Sequence, residues 1–217
     1  SMGVFAIAGV GIFSFIIAKD TILSSTFQEL TAAREAKKTT IEKFINNKLD
    51  GAELCASSIA LERIMNELKE DPYLEIPDRA VNIFLKTGDY HSLTIIFDTA
   101  HYAFAPVQKC VRFTDSVPHY IENHFKKIYH SVSRSQKRTV FDFINENGYQ
   151  VLSVSSPVFY KNGGFRAVAV LTIPLKYIDN IMLQQTSFGG MGATGETYLV
   201  GDDHIMRSTS RFDSLSA

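Results

Sequence analysis

Three histidines, His119, His124 and His130, are spaced by five and six residues. One-face helical metal sites use i, i+3 or i, i+4 spacing, as in H-E-x-x-H, so no metal site is expected. Serines are plentiful, but G-x-S-x-G is absent, and no nucleophile–base arrangement is legible. The glycine-rich FGGMGATG (188–195) lacks the Lys-Ser/Thr ending of a phosphate loop and reads as a flexible crossing. Neither catalysis nor a cofactor is therefore expected. What remains is chemistry for holding a small molecule. In FDF (141–143), strand alternation puts Asp142 on one face and Phe141 and Phe143 on the other. Either Asp142 accepts hydrogen bonds from a ligand amine or hydroxyl, or it faces solvent while both phenylalanines fill the core. Tyr149, Ser153 and Ser155 form the polar set of the next strand, alternating with Gln150, Leu152 and Val154. They are candidates for ligand contacts, with an exposed strand face as the competing reading.

Tyr102, Tyr120 and Tyr129 are further candidates, because an aromatic body with a polar tip suits a small-molecule pocket. Core packing is the alternative for each. KKIYHSVSRSQKR (126–138) is basic enough for a carboxylate pocket, although a solvated helix face is the commoner use of such a run. Arg138 is its best candidate because it abuts the FDF strand. Cys55 and Cys110 match no zinc spacing; they read as isolated buried thiols ahead of a disulfide, which an oxidising compartment would allow only with their Cα atoms within ~7 Å.

These residues need elements to position them. From Lys19 to Glu70 there is no proline and only one glycine, and apolar residues recur at three- and four-residue steps. A long helix is expected, with Gly51 a candidate divider and Asp71-Pro72 its end. Residues 78–85 fit a short helix before Gly88. SLTIIFD (92–98) reads as a strand, with 102–107 its hairpin partner and 98–101 the turn. Pro106 implies an edge or terminal position. Residues 118–133 show helical spacing. Strands follow at 139–144, 149–160 and 165–175, joined by Glu146-Asn147-Gly148 and Lys161-Asn162-Gly163-Gly164 turns. A short helix covers 177–185. The result is an α+β layer of about five antiparallel strands against a long helix.

The chain has 217 residues, 45% hydrophobic and 21% charged, with net charge -1, enough for one sizeable core or two small ones. Near-neutral charge gives no support to nucleic-acid binding. Residues 3–18, GVFAIAGVGIFSFIIA, carry no charge and reach the short edge of a membrane span. A transmembrane helix clipped of its basic flank, a signal-peptide core and a buried helix compete. The missing basic n-region and A-x-A site argue against an intact signal peptide, and the clipped transmembrane helix is preferred.

Three stretches carry a family resemblance. REAKKTTIEKFINNKLDGAELCASS, SSPVFYKNGGFRAVAVLTIPLKYIDNIM and GATGETYLVGDDHIMRSTSRF together resemble Cache (PAS-like, double-Cache type) extracytoplasmic sensors of bacterial chemoreceptors, sensor kinases and cyclases. The resemblance covers roughly residues 32–212 and is loosest at 110–137. It implies a non-enzymatic sensing input domain of a membrane receptor, periplasmic or extracellular and held at the inner membrane by its N-terminal helix. It implies a transmembrane helix over 1–18, a signalling helix over 19–70 and a ligand-binding module over 71–188. Residues 189–217 would be a linker and the first hairpin of an incomplete second module, turning at Gly201-Asp202-Asp203-His204. The ligand, of the amino-acid, organic-acid or amine class, would sit against the strand around Phe97 and Asp98, the segment 113–129, and strands 139–144 and 149–156. Alternation alone leans toward a solvent-facing Asp142, and the D-F pair that recurs at this place in such sensors brings the pocket reading level with it. Dimerisation through the long helix is a further expectation; Phe27, Leu30, Ile41 and Phe44 provide only part of the seam it needs. A structural or partner-binding ectodomain is the alternative, and a membrane-anchored enzyme a weaker one.

Overall fold

A computed structural model describes residues 2–70, 79–97, 102–106, 111–112, 119–146, 149–183 and 196–210. For 2–12, 68–70, 79–80, 102–106, 111–112, 119–120, 145–146 and 149 it describes the backbone alone. The chain opens with helix α1 (Met2–Ala56), which does not break at Gly51. A Cβ at Gly51 would stand 2.0 Å from the Tyr90 hydroxyl oxygen. The glycine is thus a notch that admits the hydroxyl, which donates to the Lys48 carbonyl at 3.2 Å. The break falls at Ser57–Ser58. The Ser57 hydroxyl bonds back to the Glu53 carbonyl at 2.9 Å, and the Ser58 hydroxyl to Cys55 at 2.8 Å. Ser58 Oγ also accepts from the Leu61 amide at 3.1 Å, capping helix α2 (Ile59–Glu70).

Helix α3 (Arg79–Thr87) ends in a Schellman turn. Asp89 takes φ 55°, and the Tyr90 amide reaches the Leu85 carbonyl at 2.9 Å. The chain then enters strand β1 (Ser92–Ile96), β2 (Tyr102–Pro106) and the short β3 (Val111–Arg112). Helix α4 (His119–Ser135) follows. Strands β4 (Thr139–Glu146), β5 (Tyr149–Phe159) and β6 (Phe165–Pro174) lead to helix α5 (Leu175–Leu183). The six strands form one sheet in the order β3-β2-β1-β6-β5-β4. Its pairs are antiparallel. The sixth strand, absent from the sequence expectation, is two residues long and carries no alternation to read. Pro106 ends β2, as expected. The turns expected at 98–101 and 147–148 lie outside the described residues, whereas the 161–164 turn is closed by Tyr160 N to Gly164 O at 2.7 Å, with Gly163 at φ 83°.

Each sheet face has its own cover. Leu93, Ile95, Val154, Leu171 and Ile173 are buried under the C-terminal part of α1, α2 and α3, with Ala52, Cys55, Leu61 and Ile64 opposite. Burial pushes the Cys55 thiol up to about 12, so it is an inert core group. Cys110 lies outside the described residues. The other face carries Ile96, Val168 and Val170 beneath the apolar stripe Ile121, Phe125, Ile128 and Val132 of α4, an i, i+4, i+7, i+11 pattern.

Residues 13–32 of α1 are exposed throughout, about 30 Å of helix at 1.5 Å per residue. Phe13, Phe15, Ile22 and Phe27 are each at least 65% exposed there. Side chains of the apolar run before Phe13 lie outside the described set. Among the described residues no helix is long and apolar enough to cross a membrane.

Residues 196–210 form a hairpin outside the six-stranded sheet. Val200 bridges Met206, and the turn at 201–204 is closed by His204 N to Gly201 O at 2.9 Å.

Candidate functional site

The α4 face of the sheet is not uniformly apolar. Antiparallel register sets Ser92 opposite Thr172, Thr172 opposite Ser153 and Ser153 opposite Phe141. The next row runs Thr94, Val170, Ser155 and Thr139. Period-2 alternation sends all of these to one face. Ser92, Thr94, Ser153, Ser155 and Thr172 are fully buried. Five hydroxyls under a helix need partners, and four have them. Ser92 Oγ and Thr172 Oγ1 share a hydrogen bond. The Ser155 hydroxyl donates to the Thr139 carbonyl at 2.9 Å. Ser153 Oγ lies 3.1 Å from His124 Nε2. Thr94 Oγ1 has no hydrogen-bond partner among the described residues.

His124 descends from α4 into this row, and the Phe141 ring stands edge-on to it at 6.2 Å. Burial, followed by the nearby Lys127 charge, pushes the imidazole down to about 4 against the weaker opposing pull of Asp142. It is neutral near pH 7, and its tautomer decides whether it gives or receives the Ser153 bond. So weak a base is a poor proton acceptor for a serine nucleophile at neutral pH. The row therefore offers neutral donors and acceptors in a water-poor setting, chemistry that fits recognition of a small polar molecule. No group of acidic, histidine or cysteine side chains among the described residues could hold a metal.

The structure brings only part of the sequence-expected set to this place. Phe141, Ser153 and Ser155 lie on the α4 face, and Tyr129 packs beside them, its ring 6.0 Å from Phe165. Ser153 and Ser155 are buried, which removes the exposed-strand reading. Phe97 and Phe143 pack instead into the α1-side core. The expectation that Phe141 and Phe143 share a face is corrected here. A bulge between Phe141 and Ile144 shifts the β4 register and turns Phe143 to the other layer.

Asp142 sits at that bulge and faces the hairpin. It receives Arg207 Nε at 2.8 Å and Nη2 at 2.5 Å. These bonds hold its carboxyl below the usual carboxylate range. Arg138 reaches to α1, ion-paired with Asp50 and, at 2.9 Å, with Glu53. Lys127, His130, Arg134 and Lys137 are exposed, so the basic run is a solvated helix face. Tyr102, Tyr120 and Tyr149 contribute backbone to β2, α4 and β5, but their side chains lie outside the described set, as does Asp98 altogether. Sequence reasoning missed Ser92, Thr94, Thr172 and His124. A signal existed: SLTII places small hydroxyls at alternate positions of an apolar run, and VLTIP sets a single hydroxyl, Thr172, within another.

An open groove of about 1170 Å³ lies elsewhere, between the α1–α2 corner and the β5–β6 turn, with Glu62, Arg138, Tyr160 and Arg166 among its walls. Its charges are engaged: Lys161 pairs with Glu62 at 3.2 Å, and Arg166 bonds Asn66 at 2.9 Å. Burial and an unpartnered hydroxyl favour the α4 face over this surface groove.

No family model matches the chain, and no curated protein matches it. Solved structures do. The fold is that of the ligand-binding domains of bacterial chemoreceptors, which is the Cache-type architecture the sequence resembles. One such structure is the ligand-binding domain of Campylobacter jejuni chemoreceptor Tlp3 with 4-methylisoleucine. It has a TM-score of 0.59 and 14% identity, covering 83% of this chain and 68% of that one. Another is the Pseudomonas fluorescens CtaA domain with L-serine, at TM-score 0.54 and 17% identity, covering 82% and 70%. A third is the Pseudomonas aeruginosa PAO1 amino-acid chemoreceptor PctC domain with GABA, at TM-score 0.51 and 18% identity, covering 80% and 70%.

Proposed function

We propose that this chain is the extracytoplasmic input domain of a membrane-bound signal transduction receptor, binding a small polar metabolite of the amino-acid, organic-acid or amine class. The observation that carries the reading is the buried row Ser92, Thr94, Thr172 and Ser153, reached by the half-buried His124. An otherwise apolar face would be more stable without it, and Thr94 Oγ1 has no described partner. The amino-acid and GABA complexes of domains with this fold support the ligand class. Tyr129, Phe141, Ser153 and Ser155 are the ligand contacts retained from the sequence set. Arg138, Phe97 and Phe143 hold the frame instead.

The exposed apolar side chains of 13–32 support an anchoring or pairing role for the N-terminal part of α1, with the domain outside the cytoplasm. The hairpin at 196–210, separate from the sheet, supports a second module beginning there. Differential affinity of the ligand for two conformations would then bias the receptor.

The deciding experiment is a thermal-shift screen with L-amino acids, GABA and organic acids, followed by calorimetry. A true ligand at hundredfold excess over Kd raises stability by ~2.7 kcal/mol. A panel without any shift overturns this reading in favour of a partner-binding ectodomain. Membrane fractionation of the full protein tests the anchor; recovery entirely in the soluble fraction would remove it.

A further inference from the structure

Two contacts among the described residues tie the hairpin to the module. One is Thr209 N to Asp179 Oδ1 on α5, at 2.7 Å. The other is the forked Arg207–Asp142 pair on β4. Arg207 is only 13% exposed although it stands on a two-stranded hairpin. Its Nη2 also reaches Asp203 Oδ2 at 2.7 Å, and its Nη1 donates to the Ile205 carbonyl at 3.2 Å. The guanidinium thus ties both ends of the 203–207 turn to one carboxylate. Two planar, bidentate groups fix direction as well as distance.

What distinguishes the two ties is their neighbours. Asp179 adjoins no residue of the buried row. Asp142 follows Phe141, whose ring abuts His124, which in turn bonds Ser153. The carboxylate that holds the hairpin and the ring that walls the buried row are therefore adjacent residues at one bulge. A rotation of this bulge moves both.

We infer that the Asp142–Arg207 pair couples the buried polar row to the hairpin, so that occupancy of the row and docking of the hairpin alter each other's equilibria. This rests on the row being a ligand site. Any such coupling is reciprocal: whatever factor docking applies to ligand affinity, ligand applies to docking. The β4 bulge is the element placed to carry the coupling, and Asp142 acts through Phe141 as a positioning residue, touching no ligand.

Hydrogen exchange at the amides of 199–207 reads docking without any ligand. Arg207→Ala should raise exchange there at least tenfold, and Arg207→Lys, which keeps the charge without the fork, should restore part of the protection. His124→Ala, which removes the row's imidazole and no atom of the Asp142–Arg207 pair, should alter hairpin exchange in the wild-type background and leave it unchanged in Arg207→Ala. An identical His124→Ala effect in both backgrounds overturns the inference. With L-valine, L-serine and GABA as probes, Arg207→Ala should shift the affinity of whichever binds several-fold, whereas Asp179→Ala should not. Equal shifts from both variants would overturn coupling through Asp142. If no probe binds, the sensing reading fails, but the His124→Ala comparison still decides whether row and hairpin are linked.

Discussion

The two faces of the sheet are made from the same strands and differ in what they place under cover. On the α1 side, Leu93, Ile95, Val154, Leu171 and Ile173 meet aliphatic and aromatic partners. On the α4 side, the alternating residues of those strands are Ser92, Thr94, Ser153, Ser155 and Thr172, mixed with valines. Both are buried, yet only the first gains its full transfer free energy from burial. One face therefore stabilises the module, and the other carries polar chemistry that the first must offset.

That division can be broken most sharply on the apolar face. Leu171→Ala should destabilise the module by about 2–5 kcal/mol, measured by urea unfolding; a loss below about 1 kcal/mol would deny Leu171 its core role. Next is Gly51→Ala. The new methyl would meet the Tyr90 hydroxyl, and overpacking should cost about 1–3 kcal/mol, with Tyr90→Phe partly relieving it. The polar face should respond in the opposite sense. Thr94→Val replaces a buried hydroxyl with no partner among the described residues and should leave stability unchanged or raise it by up to about 1 kcal/mol, while weakening ligand binding. A clear destabilisation would mean that Thr94 has a structural partner.

A pH dependence gives the last test. His124 lies at about 4 when folded and near 6.5 when unfolded, so the unfolded chain binds the extra proton between those values. Its stabilising contribution is complete above about pH 6.5 and is lost as pH falls toward 4. His124→Gln should flatten unfolding curves in that window. An unaltered profile would show that the imidazole is not buried as described.

Much of this architecture was legible because alternation and helical period are local properties. The strands at 92–98, 102–107 and 149–160, the α4 stripe and the 201–204 turn could each be read from a handful of neighbours. What was hidden depends on distant residues. Gly51 looks like a helix divider until Tyr90, far along the chain, fills its notch. Phe143 alternates with Asp142 on paper, but the bulge that redirects it is set by pairing with β5. Asp142 reads as a pocket acid because its partner, Arg207, lies beyond the sheet. For the candidate site, Ser153 and Ser155 were marked by alternation, whereas His124 was weighed only as a metal ligand and Ser92, Thr94 and Thr172 gave a weak signal.

The notch at Gly51 also limits how α1 can move. Tyr90 enters the helix surface at a position lacking a side chain, Gly51, and its ring stacks on Phe84 with centroids 5.5 Å apart. Beside it, Lys48 reaches the Gly88 carbonyl and lies 4.9 Å from the Tyr90 ring centre and 5.6 Å from that of Tyr177. Sliding α1 along its axis by one turn, 5.4 Å, would bring Asn47 or Cys55 against the hydroxyl and tear Lys48 from its rings. Tilting about the same point leaves the contact in place. The joint behaves as a keyed pivot, resisting a piston stroke and permitting a lever.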